Sequence, residues 1–338
     1  MTSPFRHQQI KTAGVVVGLD LVGDALIKLP FARALKAAFP GVEIHWITSK
    51  GPTAFNGPLR NLTRGIVDIV HETPEWLISG AAPGSGGIHF DLLIDTRNNW
   101  REARILKRKA YHELFLASAA RWFFSDLRPS FFKSHPKHLV DRLLLFVELA
   151  AGYVPATTGK LVVSEPWLAK ARKILPEGSV YVGLAPGAGN PDKIWPLERF
   201  VELARLQAAE GRTPVFILGP REENWCEELR MAVPSAIFPL QGSKMWETNE
   251  IKVEQTLAIG SILKIAVAND SGTGHMLAAA DCPLISLFGP TSPEKLAPYT
   301  PYGFVIASTR FGTKNIASIP VDAVNKMVNS VLKNLGAG

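Results

Sequence analysis

Four short segments join residue types that can do chemistry to a spacing that lets them act. In NDSGTGHMLAAA (269–280), an apolar run delivers Asp270, Ser271 and Gly272 to the start of a helix of small residues. A helix start carries unpaired backbone N–H groups at the positive end of the helix dipole, which makes it an anion site. Gly272 and Gly274 permit close approach, and His275, one turn in, can donate to a phosphate oxygen or serve as a packed helix residue. In APGAGNPDKIWP (185–196), Gly187 and Gly189 let the backbone approach a ligand, and Lys193 adds a point positive charge. No Ser or Thr follows that lysine, so the segment is not the G-x-x-x-x-G-K-[ST] phosphate loop. In LGPREEN (218–224), Glu222 and Glu223 stand just past a strand end, where nucleotide folds place the acid that binds ribose. Acids favoured by a helix dipole occupy the same place. In GLDLVGD (18–24), Asp24 opens a helix as its N-cap, or as a carboxylate held ionised to accept a proton.

Other constellations fail. His135 and His138 flank a proline and are poorly placed to share a helix face as metal ligands. G-x-G-x-x-G does not follow the first strand, and there is no Asp-x-Asp pair to hold a metal–diphosphate complex. Cys226 and Cys282 are too few for a disulfide framework. The reading is of a site without metal or cofactor, in a reducing compartment.

These segments need strands to deliver them and helices to receive them, and the chain supplies both. GVVVGL (14–19), VEIHWIT (42–48) and FDLLIDT (90–96) alternate with helical stretches, the first from Asp24 to Phe39. The second half repeats the pattern, with VYVGLAP (180–186), TPVFILG (213–219), ILKIAVAND (262–270) and PLISLFGP (283–290) between helices. A last amphipathic stretch over 321–335 reads as a closing helix. Such alternation predicts α/β architecture, a doubly wound parallel sheet covered by helices, twice over. The first alternation ends and the second begins between Val154 and Pro176, giving domains of 1–160 and 161–338.

The 338 residues, 46% hydrophobic and 20% charged, suit two globular domains and exclude disorder, collagen and coiled coil. No apolar run reaches the roughly 20 residues that span a bilayer, and the polar N-terminus does not read as a secretory signal. The net charge of +7 is one-sided: residues 1–160 carry 20 Lys and Arg against 13 Asp and Glu, and residues 161–338 carry 17 of each. A one-sided excess suggests a polyanionic partner for the first half. Its densest run is Arg97, Arg101, Arg104, Lys107, Arg108 and Lys109, which is a docking surface for phosphate or carboxylate groups or a solvated helix face.

The segments APGAGNPDKIWPLERFVELA (185–204), NDSGTGHMLAAADCPLISLFGPTSPEKLAPY (269–299) and VGDALIKLPFARALKAAFPGVEIHWIT (22–48) resemble glycosyltransferase family 9, the bacterial lipopolysaccharide heptosyltransferases. The resemblance implies two Rossmann-like domains facing across a cleft (GT-B type). It also implies inverting, metal-independent transfer of heptose from ADP-heptose to an anionic inner-core glycan. Asp24 then matches the family's base, Lys193 its donor-phosphate lysine and Asp270 the acid of its donor site. Ser271, Gly272 and His275 match the diphosphate-binding turn, and Glu222 or Glu223 would meet the ribose. The basic first domain, with Arg60, Arg64, Arg97, Arg101 and Arg104, would bind the acceptor, and the second domain the donor. Asp20 departs from the pattern: the family more often has a small or hydroxyl residue there, in a loop that faces the acceptor. The expected place of action is the cytoplasm, with peripheral contact at the inner face of the inner membrane. Two rivals stand beside this reading. A GT-B-type sugar-nucleotide epimerase would share the donor site without needing a large basic acceptor surface. A basic nucleic-acid-binding protein would leave the 269–280 segment without a purpose, so no nucleic-acid partner is expected.

Overall fold

The computed structural model describes residues 10–78, 85–130, 136–241, 246 and 251–336. The chain divides into two compact units, Met1–Thr158 and Gly159–Gly338. Among the described residues each unit is built on five strands, all paired in parallel.

In the first unit β1 (Thr12–Val17), β2 (Glu43–Thr48), β3 (Ile69–Glu72), β4 (His89–Asp95) and β5 (Tyr111–Ala117) lie in the order β3-β2-β1-β4-β5. Its helices are α1 (Val22–Ala38), α2 (Glu75–Ile78), α3 (Trp100–Lys109), α4 (Ala119–Trp122) and α5 (Leu139–Ala151). The central strands read as continuous apolar runs because helices cover both faces; Val15, Val16, Trp46, Ile47, Leu92, Leu93 and Ile94 are fully buried. The order reverses at β1, so the crevice where such sheets bind ligands opens past the C-terminal ends of β1 and β4.

In the second unit β6 (Tyr181–Ala185), β7 (Thr213–Phe216), β8 (Ile265–Asn269), β9 (Leu284–Phe288) and β10 (Gly303–Ala307) lie in the order β10-β9-β8-β6-β7. Its helices are α6 (Glu165–Ile174), α7 (Leu197–Ala209), α8 (Cys226–Ala232), α9 (Val253–Gly260), α10 (Gly272–Ala279), α11 (Pro293–Leu296) and α12 (Val321–Asn334). Here the order reverses between β6 and β8, and their C-terminal ends carry the segments beginning at Pro186 and Asp270.

The strands with no sequence-level counterpart are β3, β5 and β10, all at sheet edges. An edge strand is half solvated and lacks the apolar run that marks a central one; β10 opens with two exposed residues. The first helix begins at Val22 rather than Asp24, with Leu21 as its N-cap. After β7 the chain opens on a 3-10 turn, Pro220–Trp225, that continues into α8.

Candidate functional site

The β6/β8 switch point gathers three of the four segments. Lys193 donates from Nζ to Asp270 Oδ2 at 2.7 Å, and Thr291 Oγ1 donates to the same oxygen at 2.6 Å. Asp270 is buried, so the carboxylate is held from two sides, while Lys193 has two further N–H groups to offer. Beside it α10 begins at Gly272, with Ser271 as N-cap accepting from the Gly274 N–H. Ser271 Oγ therefore serves the helix start as an acceptor, and its own O–H is still available to donate. Gly274 is closely packed: a Cβ there would lie 3.2 Å from the Asn269 carbonyl oxygen. His275 occupies the first turn of α10, half-buried.

Asn269, not singled out in the sequence, splints this region. Its side chain donates to the Pro186 carbonyl at 2.7 Å and accepts from the Trp195 N–H at 3.2 Å, fastening both ends of the Gly187–Lys193 loop to the end of β8. Thr291 was also missed as a site residue, although it ends the LFGPT segment (287–291) that carries the family resemblance.

The structure separates the two glutamates. Glu222 is buried and its Oε2 accepts from the Gly219 N–H at 2.9 Å. A Cβ on Gly187 would sit 2.5 Å from the Glu222 carboxyl carbon, so any larger residue there would have to push the Glu222 side chain aside. Burial pushes the Glu222 carboxyl above the usual carboxylate range, and the Gly219 N–H works against it. Glu223 is exposed. Around Gly189 a Cβ would meet nothing within 4 Å.

The first unit has a cavity of about 330 Å³ at its own switch point, lined by Gly18, Lys28, Lys50, Thr96, Arg97 and Glu102 among others. Two buried carboxylates orient its cations. Asp95 grips Arg97 at Nε (2.8 Å) and Nη2 (2.9 Å), and Glu102 takes Nη1 at 2.7 Å. Burial pushes the Asp95 carboxyl up, and Arg97 opposes that rise. Asp20, fully buried, accepts from Lys28 Nζ (2.7 Å), Trp46 Nε1 (2.9 Å) and Thr53 Oγ1 (2.5 Å). That corrects the expectation of an acceptor-facing residue: the Asp20 side chain is spent inside the fold, where it fixes Lys28. Lys28 also donates to the Asp24 carbonyl at 2.7 Å.

Asp24 itself is exposed in the first turn of α1. Because Leu21 is the N-cap and makes no side-chain bond, the capping reading of Asp24 does not hold; its carboxylate instead meets the positive end of the helix. Of the five candidate acceptor arginines, only Arg97 lines the cavity. Arg101 and Arg104 are exposed on α3, and Arg60 and Arg64 lie in exposed turns before β3, Arg64 bonding Asn61 at 3.2 Å. His138 caps α5, and His135 lies outside the described residues.

Two doubly wound units, with a lysine–aspartate pair beside a glycine-rich helix start at one switch point, define the doubly wound α/β class with a ligand crevice at that switch point. Solved structures share the whole fold. A glycosyl transferase family 9 protein from Veillonella parvula has a TM-score of 0.71 at 17% identity, covering 96% of this chain and 98% of that one. The E. coli heptosyltransferase WaaC with ADP has a TM-score of 0.66 at 20% identity, covering 95% and 99%. The sequence profile of glycosyltransferase family 9 (heptosyltransferase) matches residues 86–317, and the chain belongs to that family. Lipooligosaccharide heptosyltransferase 2 of Haemophilus influenzae is 32% identical over 121 residues, 36% of this chain and 33% of that protein. The match thus spans about a third of that relative's length. Lipopolysaccharide heptosyltransferase 1 of E. coli is 23% identical over 338 residues, 94% of this chain and 99% of that protein.

Proposed function

We propose that the protein is an inverting, metal-independent glycosyltransferase that moves a heptose or related sugar from ADP-heptose to an anionic glycan acceptor of the lipopolysaccharide inner-core type. The observation that carries this reading is the Lys193–Asp270–Thr291 cluster beside the first turn of α10. A nucleoside diphosphate leaving group develops negative charge as its bond to the sugar breaks. Fixed donors already aimed at that charge stabilise it without reorganisation. Lys193 and the N–H groups of the α10 start have that character, with Glu222 beneath Gly187 as the group to meet the ribose hydroxyls.

In the proposed reaction an acceptor hydroxyl attacks the anomeric carbon from the face opposite the diphosphate. The new carbon–oxygen bond forms as the bond to the phosphate oxygen breaks, and the hydroxyl proton passes to the Asp24 carboxylate. The cavity of the first unit, with Arg97 and Lys28 fixed by buried carboxylates, supports an acceptor bearing carboxylate or phosphate. ADP as the nucleotide draws support from the ADP complex of the similar E. coli heptosyltransferase.

Calorimetry with ADP, GDP and UDP tests the donor half. ADP is expected to bind best, and Lys193→Ala and Asp270→Ala each to weaken it by roughly 10–150-fold, the worth of one charge-assisted contact. Unchanged ADP affinity in both variants sinks the assignment.

A further inference from the structure

The helix that carries Asp24 begins at a residue that cannot cap it. Leu21 is the N-cap of α1 and makes no side-chain bond, so the first turn lacks the anchor that usually fixes a helix start. A buried clamp one turn further on supplies it. Lys28, 8% exposed, donates from Nζ to the Asp24 carbonyl and to Asp20 Oδ1, both at 2.7 Å. Trp46 Nε1 on β2 and Thr53 Oγ1 both donate to the other oxygen, Asp20 Oδ2. The Thr53 N–H in turn donates to Glu72 Oε1, at the end of β3, at 3.0 Å, and the Ala54 N–H donates to the Asp20 carbonyl at 2.9 Å. The clamp thus runs from β2 and β3 through Asp20 and Lys28 to the backbone of Asp24. Lys28 also lines the cavity of this unit, with Gly18, Thr96 and Arg97.

Stability alone does not account for such a pair. Burying two charges costs desolvation, and an apolar pair of similar volume is often as stable or more so. What the ions add is direction: one ammonium meets oxygens of two segments at once, at charge-assisted distances. From this geometry we infer that Lys28 is a positioning residue for glycosyl transfer. Clamped by Asp20, it sets the backbone at Asp24 and so aims that carboxylate at the acceptor hydroxyl. The role rests on Asp24 being the base, as proposed above, and Lys28 acts through it. Asp20, sealed inside the fold, acts through Lys28 in turn.

Turnover of the full chain is measured with ADP-heptose as donor and deacylated, heptose-free lipopolysaccharide as acceptor. Lys28→Met alone strands a buried carboxylate, so the deciding variant is Asp20→Asn/Lys28→Met. It leaves no buried charge unpaired, Met has nearly the reach of Lys, and the single Asn carbonyl can accept from both Trp46 and Thr53. Its thermal midpoint should lie close to that of the wild type, with ADP affinity and donor KM unchanged. Its kcat should fall by about 10–100-fold, the cost of a group misplaced by up to about an ångström. In an Asp24→Asn background the same double substitution should cost little more, because both changes act through one carboxylate. A kcat within a few-fold of wild type in the double variant overturns the proposal, and so does a loss that multiplies with that of Asp24→Asn. A midpoint far below wild type overturns it too, since the pair then serves stability. Wild-type turnover in Asp24→Asn by itself is a separate failure, of the base, and takes the clamp's role with it.

Discussion

At the scale of single residues, two nearby carboxylates have opposite signatures. Asp24 is exposed in the first turn of α1, so Asp24→Asn forfeits its attraction to the helix start, worth about 0.3–1 kcal/mol. As the base of the proposed reaction, however, it cannot be replaced by an amide. Turnover is expected to fall by about 10²–10⁴-fold, with thermal midpoint and ADP affinity nearly unmoved. A variant that keeps turnover within a few-fold of wild type removes Asp24 from that role. Asp20→Asn should instead lower stability. It leaves the Lys28 ammonium buried without its counter-charge and disturbs the bonds to Trp46 and Thr53. Breaking a buried pair on one side costs about 3–5 kcal/mol, and a clear drop in thermal midpoint is expected. An unchanged midpoint would mean the three bonds to Asp20 contribute nothing.

At the scale of elements, the β2–β3 edge of the first sheet carries a pH-sensitive histidine, His71. His45 Nδ1 and His71 Nε2 are 2.9 Å apart across the two strands, and His45 Nε2 meets Glu43 at 2.8 Å. Burial, with the neighbouring His45, holds His71 below its ordinary value of 6.5. The folded chain therefore resists a proton that the unfolded chain accepts. Stability is present in full above the unfolded value and is lost as pH falls through it. The thermal midpoint should fall between about pH 7.5 and about pH 5.5, and His71→Gln should flatten that fall. Parallel slopes for the two proteins would show that His71 is not what titrates.

At the scale of the whole molecule, the proposed chemistry relies on fixed donors. In that proposal Lys193 and the α10 start neutralise the diphosphate, and the sequence offers no Asp-x-Asp pair for a metal–diphosphate complex. Transfer should persist in excess EDTA. Its abolition, with rescue by magnesium or manganese, would refute the metal-free mechanism. No helix among the described residues is long and apolar enough to cross a membrane.

What the sequence by itself determined was local and periodic. Buried central strands must be apolar throughout, and helices between parallel strands must alternate with them, so the α/β class was legible. The helix-start segment at 269–280 was legible too, because glycine, a capping residue and small residues are each demanded by local geometry. Contacts far apart in sequence were decided only by the tertiary structure. Which glutamate turns inward depends on Gly187 lying over Glu222, 35 positions away. That Thr291 joins Lys193 on Asp270 depends on β8 and β9 being neighbours. The fates of Asp20 and of the arginines likewise followed from burial and pairing: Asp20 is sealed among Lys28, Trp46 and Thr53, Arg97 turns inward onto Asp95, and Arg101 and Arg104 stay outside. A run of like charges fixes only their spacing; which of them turn inward is decided by the carboxylates they meet, Asp95 and Glu102 for Arg97 and Asp126 for Lys107.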